Sequence, residues 1–168
     1  MTMLKFTLTA ALALALGAQT AIAAPKVSTT SGVLVGEAVQ DIVIFKGVPY
    51  AQPPVGNLRW MPPQPVTWQG ERNATSFALP CLQTTRPDGR PNGAGVTGES
   101  SEDCLYLNVW APAKAKKAPV MLWLYGGGGT MGSGHVPTYH GDAFARDGIV
   151  LVTINYRLGA LAGFAHPA

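Results

Sequence analysis

Two stretches, Val120 to Tyr125 (VMLWLY) and Ile149 to Asn155 (IVLVTIN), are apolar at nearly every consecutive position. A strand sends alternate side chains to opposite faces, so runs of this kind ask for burial on both sides. Such burial belongs to the interior of an α/β sheet with helices outside it. Between the two runs, Asp142 to Arg146 predicts a short helix. Strand, crossover and strand at this spacing predict a parallel or mixed sheet. With 20 Gly and 14 Pro in 168 residues, the rest of the chain is loop-rich, which excludes a helical bundle. No internal repeat is present.

The segments before these runs are shorter and more broken. Val27 to Val35 carries β-branched residues around Ser31-Gly32 and predicts a hairpin. Asp41 to Val48 predicts a third strand, and Leu105 to Trp110 another that ends at Pro112. Six prolines between Pro49 and Pro65 forbid regular structure there. Trp60 and Trp68 are the large rings that would pin this coil by burial. Ser76 to Asp103 is a second long irregular stretch, bracketed at its end by Cys81 and Cys104. Long loops of this kind are usually functional or disordered. Paired, the two cysteines would close a loop worth about 3 kcal/mol on the chain-entropy account. Left unpaired, they would be two buried thiols.

Charge narrows the range of partners. Twelve Lys+Arg against nine Asp+Glu leave a net charge of +3. The excess is mild and forms no basic stripe, so nucleic acid is not an expected partner. Charged residues make up only 12% of the chain and apolar residues 47%, which excludes a disordered charged tail. Met1 to Ala23 reads as a secretory signal. Lys5 supplies the positive end, Phe6 to Ala18 the apolar core, and Ala21-Ile22-Ala23 the small-residue cleavage site. The apolar core is well short of the roughly 20 residues that span a bilayer. The mature chain is then residues 24–168, secreted or periplasmic, without stable membrane association after cleavage. An oxidising compartment would also permit the cysteines to pair.

Gly126 to Gly129 follows directly on the first apolar run. Without Cβ atoms the backbone there can take positive φ and approach a ligand closely. Three readings are open. A dinucleotide site has the formal spacing Gly127-x-Gly129-x-x-Gly132, but Gly134 and Pro137 interrupt the helix that must start there. A flexible turn needs no ligand. An oxyanion hole would use rigid backbone N–H groups to hold the charge that acyl transfer places on a carbonyl oxygen.

Four ordered blocks carry a resemblance to a known family. They are Gly47-Val48-Pro49-Tyr50-Ala51 with Pro53-Pro54-Val55-Gly56 and Leu58-Arg59-Trp60; Ser101-Glu102-Asp103-Cys104-Leu105-Tyr106-Leu107-Asn108-Val109; Leu122-Trp123-Leu124-Tyr125-Gly126-Gly127-Gly128; and Asn155-Tyr156-Arg157-Leu158-Gly159. Together they resemble the type-B carboxylesterases and their cholinesterase relatives. The resemblance implies the N-terminal portion of an α/β-hydrolase fold, with small antiparallel strands and the first strands of the central mixed sheet. It implies that Gly127 and Gly128 donate oxyanion hydrogen bonds. It implies a Cys81–Cys104 disulfide and a structural ion pair between Arg59 and Glu102; buried charges of this kind must pair. Gly129 departs from the bulkier residue usual at its place, which would widen the acyl pocket or loosen the loop. The implied substrate is a small-molecule carboxylic ester, with no metal or other cofactor.

The catalytic serine of that family sits in G-x-S-x-G on a strand-to-helix elbow. None of the six serines, 28, 31, 76, 100, 101 and 133, has glycine both two residues before it and two residues after it. Gly98-Glu99-Ser100-Ser101-Glu102 imitates the motif but has Glu102 at the second glycine. His135, His140 and His166 come too early for the family's catalytic histidine and read as loop or surface residues. No H-E-x-x-H or Cys/His cluster suggests a metal site. The expectation is therefore a carboxylesterase chain that stops before its nucleophile, inactive by itself and exposing apolar strand faces. The alternative from another class is a cholinesterase-like binding or adhesion module that has lost the triad. Asn73-Ala74-Thr75 is a glycosylation sequon, relevant only in a eukaryotic secretory pathway.

Overall fold

The computed structural model describes residues 23–163. The secretory segment lies outside the described residues except for Ala23, and so does His166. β1 (Lys26–Thr29) and β2 (Gly32–Val35) form the expected antiparallel hairpin. The Thr29 hydroxyl closes the turn by donating to Gly32 O at 2.8 Å, and its oxygen accepts from the Ser31 and Gly32 N–H groups. A hydroxyl bonding its own chain just downstream is a standard way to fix a turn. β5 (Glu71–Asn73) adds to β2 in parallel and completes a three-stranded sheet.

The second sheet has five strands in the order β3-β4-β6-β8-β7. They are β3 (Glu37–Val39), β4 (Ile42–Pro49), β6 (Tyr106–Pro112), β7 (Val120–Trp123) and β8 (Val150–Ile154). β3, β4, β6 and β8 pair antiparallel, and β7 pairs parallel to β8. This is the mixed sheet expected at the start of an α/β-hydrolase fold. β3 and β5 are not legible in the sequence, because three residues carry too little periodicity.

β4 is broken between Phe45 and Val48, where its register against β6 shifts. At that irregularity the Gly47 N–H leaves the ladder and donates to Asn108 Oδ1 at 3.0 Å. α1 (Asp142–Arg146) packs on β6 and β8. Beneath it Ile42, Ile44, Trp110 and Ala145 form one buried cluster, with Phe77 against its side. A second cluster joins Leu34, Phe45 and Ala74 between the sheets. A third gathers Ala51, Cys81, Cys104, Leu105, Tyr125 and Leu158 beside the glycine run.

The expected exposure of apolar strand faces is seen in the 120–125 run, where all four residues of β7 are exposed, Leu122 at 56%. Among the described residues β7 is the outer strand of its sheet, so nothing covers its far edge. One expectation needs correction: Trp60 does not pin the proline-rich coil by burial, since it is 57% exposed. It holds the coil by a polar contact, with Nε1 donating to Ala160 O at 3.1 Å. Trp68 is half-buried, and its Nε1 donates to Val33 O at 3.0 Å.

Candidate active site

The glycine run leaves the sheet at the end of β7 and turns back on itself over residues 126–132. Gly127 O accepts from the Thr130 N–H (3.1 Å), the Met131 N–H (3.4 Å) and the Thr130 hydroxyl (3.0 Å). Gly127 has φ +138°, and a Cβ built on it would lie 1.9 Å from Met131 O. No residue other than glycine fits there without moving the backbone of the turn. Gly129 O accepts from the Gly159 N–H at 2.8 Å, which ties the tip of the turn to the segment after β8. Among the described residues, no acceptor takes the N–H groups of Gly127 and Gly128. Both residues are exposed and lie beyond the β7 ladder, which ends at Trp123.

The base of the turn is held by aromatic rings. Tyr125 and Tyr156 stack at 4.4 Å with an interplanar angle of 13°. Each hydroxyl donates to the other residue's backbone carbonyl: Tyr156 to Tyr125 O, and Tyr125 to Tyr156 O at 3.4 Å. Burial pushes the Tyr125 phenol up strongly, so it stays a neutral donor. The Tyr50 hydroxyl donates to Asn155 O at 2.7 Å; burial, opposed by the Arg157 charge, pushes its pKa up to about 12. The turn re-enters the body at Gly132 (φ +125°), where a Cβ would come within 2.3 Å of the Tyr125 ring.

Buried polar side chains then fix residues 133–135. Asn155 Oδ1 accepts from the Gly134 N–H (2.8 Å) and the Ser133 hydroxyl (3.1 Å). The Thr153 hydroxyl donates to Gly134 O at 2.7 Å and accepts from Asn108 Nδ2 at 3.0 Å. One chain of hydrogen bonds therefore runs from the β4 irregularity through Asn108 and Thr153 to the residues following the glycine turn. Asn108, Thr153 and Asn155 went unread as site residues. Their one signal is a polar residue inside, or for Asn155 just after, an otherwise apolar strand, which must find partners when buried.

Ser133 Oγ lies 2.7 Å from His135 Nδ1, a serine–histidine contact at catalytic range. The Ser133 side chain is fully buried and already bonded to Asn155, so no substrate carbonyl reaches it. His135 and His140 lie on loops as expected, His135 on the turn after Gly134 and His140 after the short helical turn at 137–139, and both are half-buried and packed against Phe77 at 5.8 and 5.2 Å. Burial, with the His140 charge nearby, holds the His135 imidazole below its ordinary range.

The disulfide is present: Cys81 and Cys104 join with Sγ–Sγ 2.00 Å, both buried. Arg59 and Glu102 meet as a two-pronged pair, Nε to Oε2 at 2.5 Å and Nη2 to Oε1 at 2.8 Å. Their side chains are 37% and 23% exposed, so this pair sits at a half-buried rim rather than in an apolar interior. The hydrogen bond from Arg59 holds the Glu102 carboxyl below the usual carboxylate range. Arg157 Nη1 braces the same rim by donating to Arg59 O (2.7 Å) and Met61 O (3.1 Å). Ser100 and Ser101 stand in the loop leading to Cys104. The Ser100 hydroxyl bonds the Gln83 backbone and the Ser101 oxygen accepts from the Asp103 N–H, so both act as loop braces. Among the described residues no three His, Cys, Asp or Glu side chains come together as a metal cluster.

A mixed sheet whose apolar strand opens into a glycine turn with unclaimed N–H groups is the opening part of an α/β-hydrolase domain. The profile of the carboxylesterase family matches residues 23–167, and the chain belongs to that family. It is 48% identical over 143 residues to the fumonisin B1 esterase of Sphingopyxis macrogoltabida, covering 83% of this chain and 26% of that enzyme. It is 44% identical over 149 residues to the phenmedipham hydrolase of Pseudarthrobacter oxydans, covering 86% of this chain and 30% of the relative. Among solved structures, a carboxylesterase of Geobacillus stearothermophilus superposes with a TM-score of 0.71 at 42% identity, over 81% of this chain and 27% of that one. The chain thus spans less than a third of the length of these relatives.

Proposed function

We propose that this chain is the oxyanion-hole portion of a serine carboxylesterase that hydrolyses small carboxylic esters. The observation that carries the reading is the pair of exposed, unclaimed N–H groups at Gly127 and Gly128, on a turn otherwise fixed by hydrogen bonds. A catalytic serine attacks the ester carbonyl, and the carbonyl oxygen takes up negative charge as the tetrahedral intermediate forms. Two preorganised amides stabilise that charge without reorganising, and loss of one such donor costs roughly 100- to 1,000-fold in rate. Collapse expels the alcohol, and water then releases the acid from the acyl-enzyme. The absence of a G-x-S-x-G from residues 1–168 makes these residues inactive by themselves, because oxyanion donors and nucleophile must act on one carbonyl.

Export fits the same reading. The basic and apolar start of the chain reads as a signal removed after Ala23, leaving residues 24–168 as part of the esterase domain. The Cys81–Cys104 bond suits a secreted or periplasmic location. The test is p-nitrophenyl acetate hydrolysis by the protein expressed from its complete reading frame. Turnover abolished by an organophosphate supports the proposal; a folded protein without turnover sinks it. Mass spectrometry of the exported protein should find Ala24 as the first residue.

A further inference from the structure

Gln83 lies two residues after Cys81, in the loop that the disulfide closes, and its amide is fully committed. Nε2 donates to Gly132 O at 2.8 Å and to Cys81 O at 3.0 Å. Oε1 accepts from the Gly132 N–H at 2.8 Å and from Asn92 Nδ2 at 3.1 Å. An amide has two N–H donors and an oxygen with two lone pairs, so all four positions are used. Two of the four grip the N–H and the C=O of one residue, Gly132, much as a neighbouring strand would.

Gly132 has no free room on its Tyr125 side, where a Cβ would come within 2.3 Å of the ring. Gln83 is itself held: its backbone N–H donates to Ser100 Oγ, and the Ser100 hydroxyl donates to Gln83 O, both at 3.4 Å. Asn92 is equally committed. Its Oδ1 accepts from the Ala94 (3.0 Å) and Val96 (3.1 Å) N–H groups, and its Nδ2 donates to Gln83 and Thr84. The disulfide loop therefore carries a rigid side-chain clamp whose jaws close on the end of the glycine turn.

We propose that Gln83 is a positioning residue for the oxyanion donors: by fixing Gly132 it fixes the direction of the Gly127 and Gly128 N–H groups. The turn from Gly127 to Gly132 is short and bonded internally through Gly127 O, so a displacement at Gly132 is passed back to the donors. Nothing else among the described residues holds the Gly132 N–H or C=O. The inference rests on the oxyanion reading of Gly127 and Gly128. It adds that the donors' aim is set from the disulfide loop, by a residue that touches no substrate.

The test uses the protein expressed from its complete reading frame, with Gln83→Met and Gln83→Glu. Methionine keeps the length and removes all four hydrogen bonds; glutamate keeps the acceptor for the Gly132 N–H and loses both donors. Steady-state hydrolysis of p-nitrophenyl acetate is measured beside inhibition by a trifluoromethyl ketone, whose serine adduct carries the oxyanion. Small misplacements of catalytic groups cost up to about 100-fold, so Gln83→Met is expected to lower kcat roughly tenfold or more, with KM changing less than about twofold. Ketone affinity should fall by the same factor as kcat/KM, as expected for a group that acts on the transition state. Gln83→Glu should show the same pattern at smaller size. A folded Gln83→Met protein with kcat within twofold of the parent overturns the proposal, as does a loss confined to KM or to Tm. Should Gln83→Met not fold, Gln83→Glu decides by the same readouts. A parent protein that folds but cleaves no ester instead refutes the esterase reading, a result distinct from an active parent with an indifferent Gln83.

Discussion

β7 and β8 run side by side in parallel, and both are built from apolar residues, yet their surroundings are opposite. β8 lies between β6 and β7 under α1, with Leu151 at 2% and Thr153 at 0% exposure. β7 has a partner on one side alone among the described residues, and Val120 to Leu124 stand in the open. The apolar faces of β7 ask for a further partner, and the chain spans less than a third of the length of its relatives. An uncovered apolar edge is a template for self-association. The glycine turn leaves from β7, the less supported of the two strands. Its order comes from elsewhere: the Tyr125–Tyr156 stack, the Gly159 N–H and the Gln83 clamp.

Substitutions along this gradient from covered to open should show falling effects on stability in the 168-residue chain. Trp110, at 1% exposure in the cluster under α1, is the largest buried side chain. Trp110→Ala should cost about 3–5 kcal/mol in denaturant unfolding, as large core truncations do. An unchanged midpoint would show that this half is not packed as described. Thr153→Val keeps the shape but removes the hydroxyl that serves Asn108 and Gly134. Leaving buried partners unsatisfied should cost about 1–3 kcal/mol, and the Gly134 region should gain amide exchange. A loss no larger than at an exposed site would separate β8 from the glycine turn.

The half-buried rim supplies the next test. Arg59 depresses the Glu102 carboxyl in the folded protein, so the unfolded chain binds the proton more readily. The pair's stabilisation is thus complete above the ordinary glutamate value of about 4.3 and is lost as pH falls below it towards the lower folded value. Arg59→Met should flatten this acid-side fall in a urea titration between neutral and acid pH. An unaltered slope would show that the pair adds nothing to stability. The smallest effect on stability is expected at the open edge. Leu122→Lys should change the unfolding free energy by no more than about 0.5 kcal/mol, as exposed substitutions generally do. It should still reduce light scattering by breaking an apolar edge. A large destabilisation would mean that β7 is covered in solution.

Much of the fold was legible because its signals are local. The Thr29–Gly32 turn, the strands at β4, β6 and β8, and the five-residue helix each follow from propensity and punctuation within a few residues. The disulfide and the Arg59–Glu102 meeting were legible through four family-like blocks; their spacing alone did not give them. β3 and β5 were not, since three residues become a strand when a longer neighbour offers its edge. The clamp at Gln83 was invisible for a stronger reason. Gln83 and Gly132 are separated by 49 positions, and no pattern in either segment points to the other.

The order of residues alone determined where the chain is apolar and where it must turn, because these depend on side-chain chemistry within one short segment. Three-dimensional packing decided which apolar strand is covered, which serine and histidine meet out of reach of a substrate, and which distant amide grips the glycine turn. Those outcomes depend on segments far apart in the chain arriving together, and distances of 2.7 to 3.1 Å are set only on arrival.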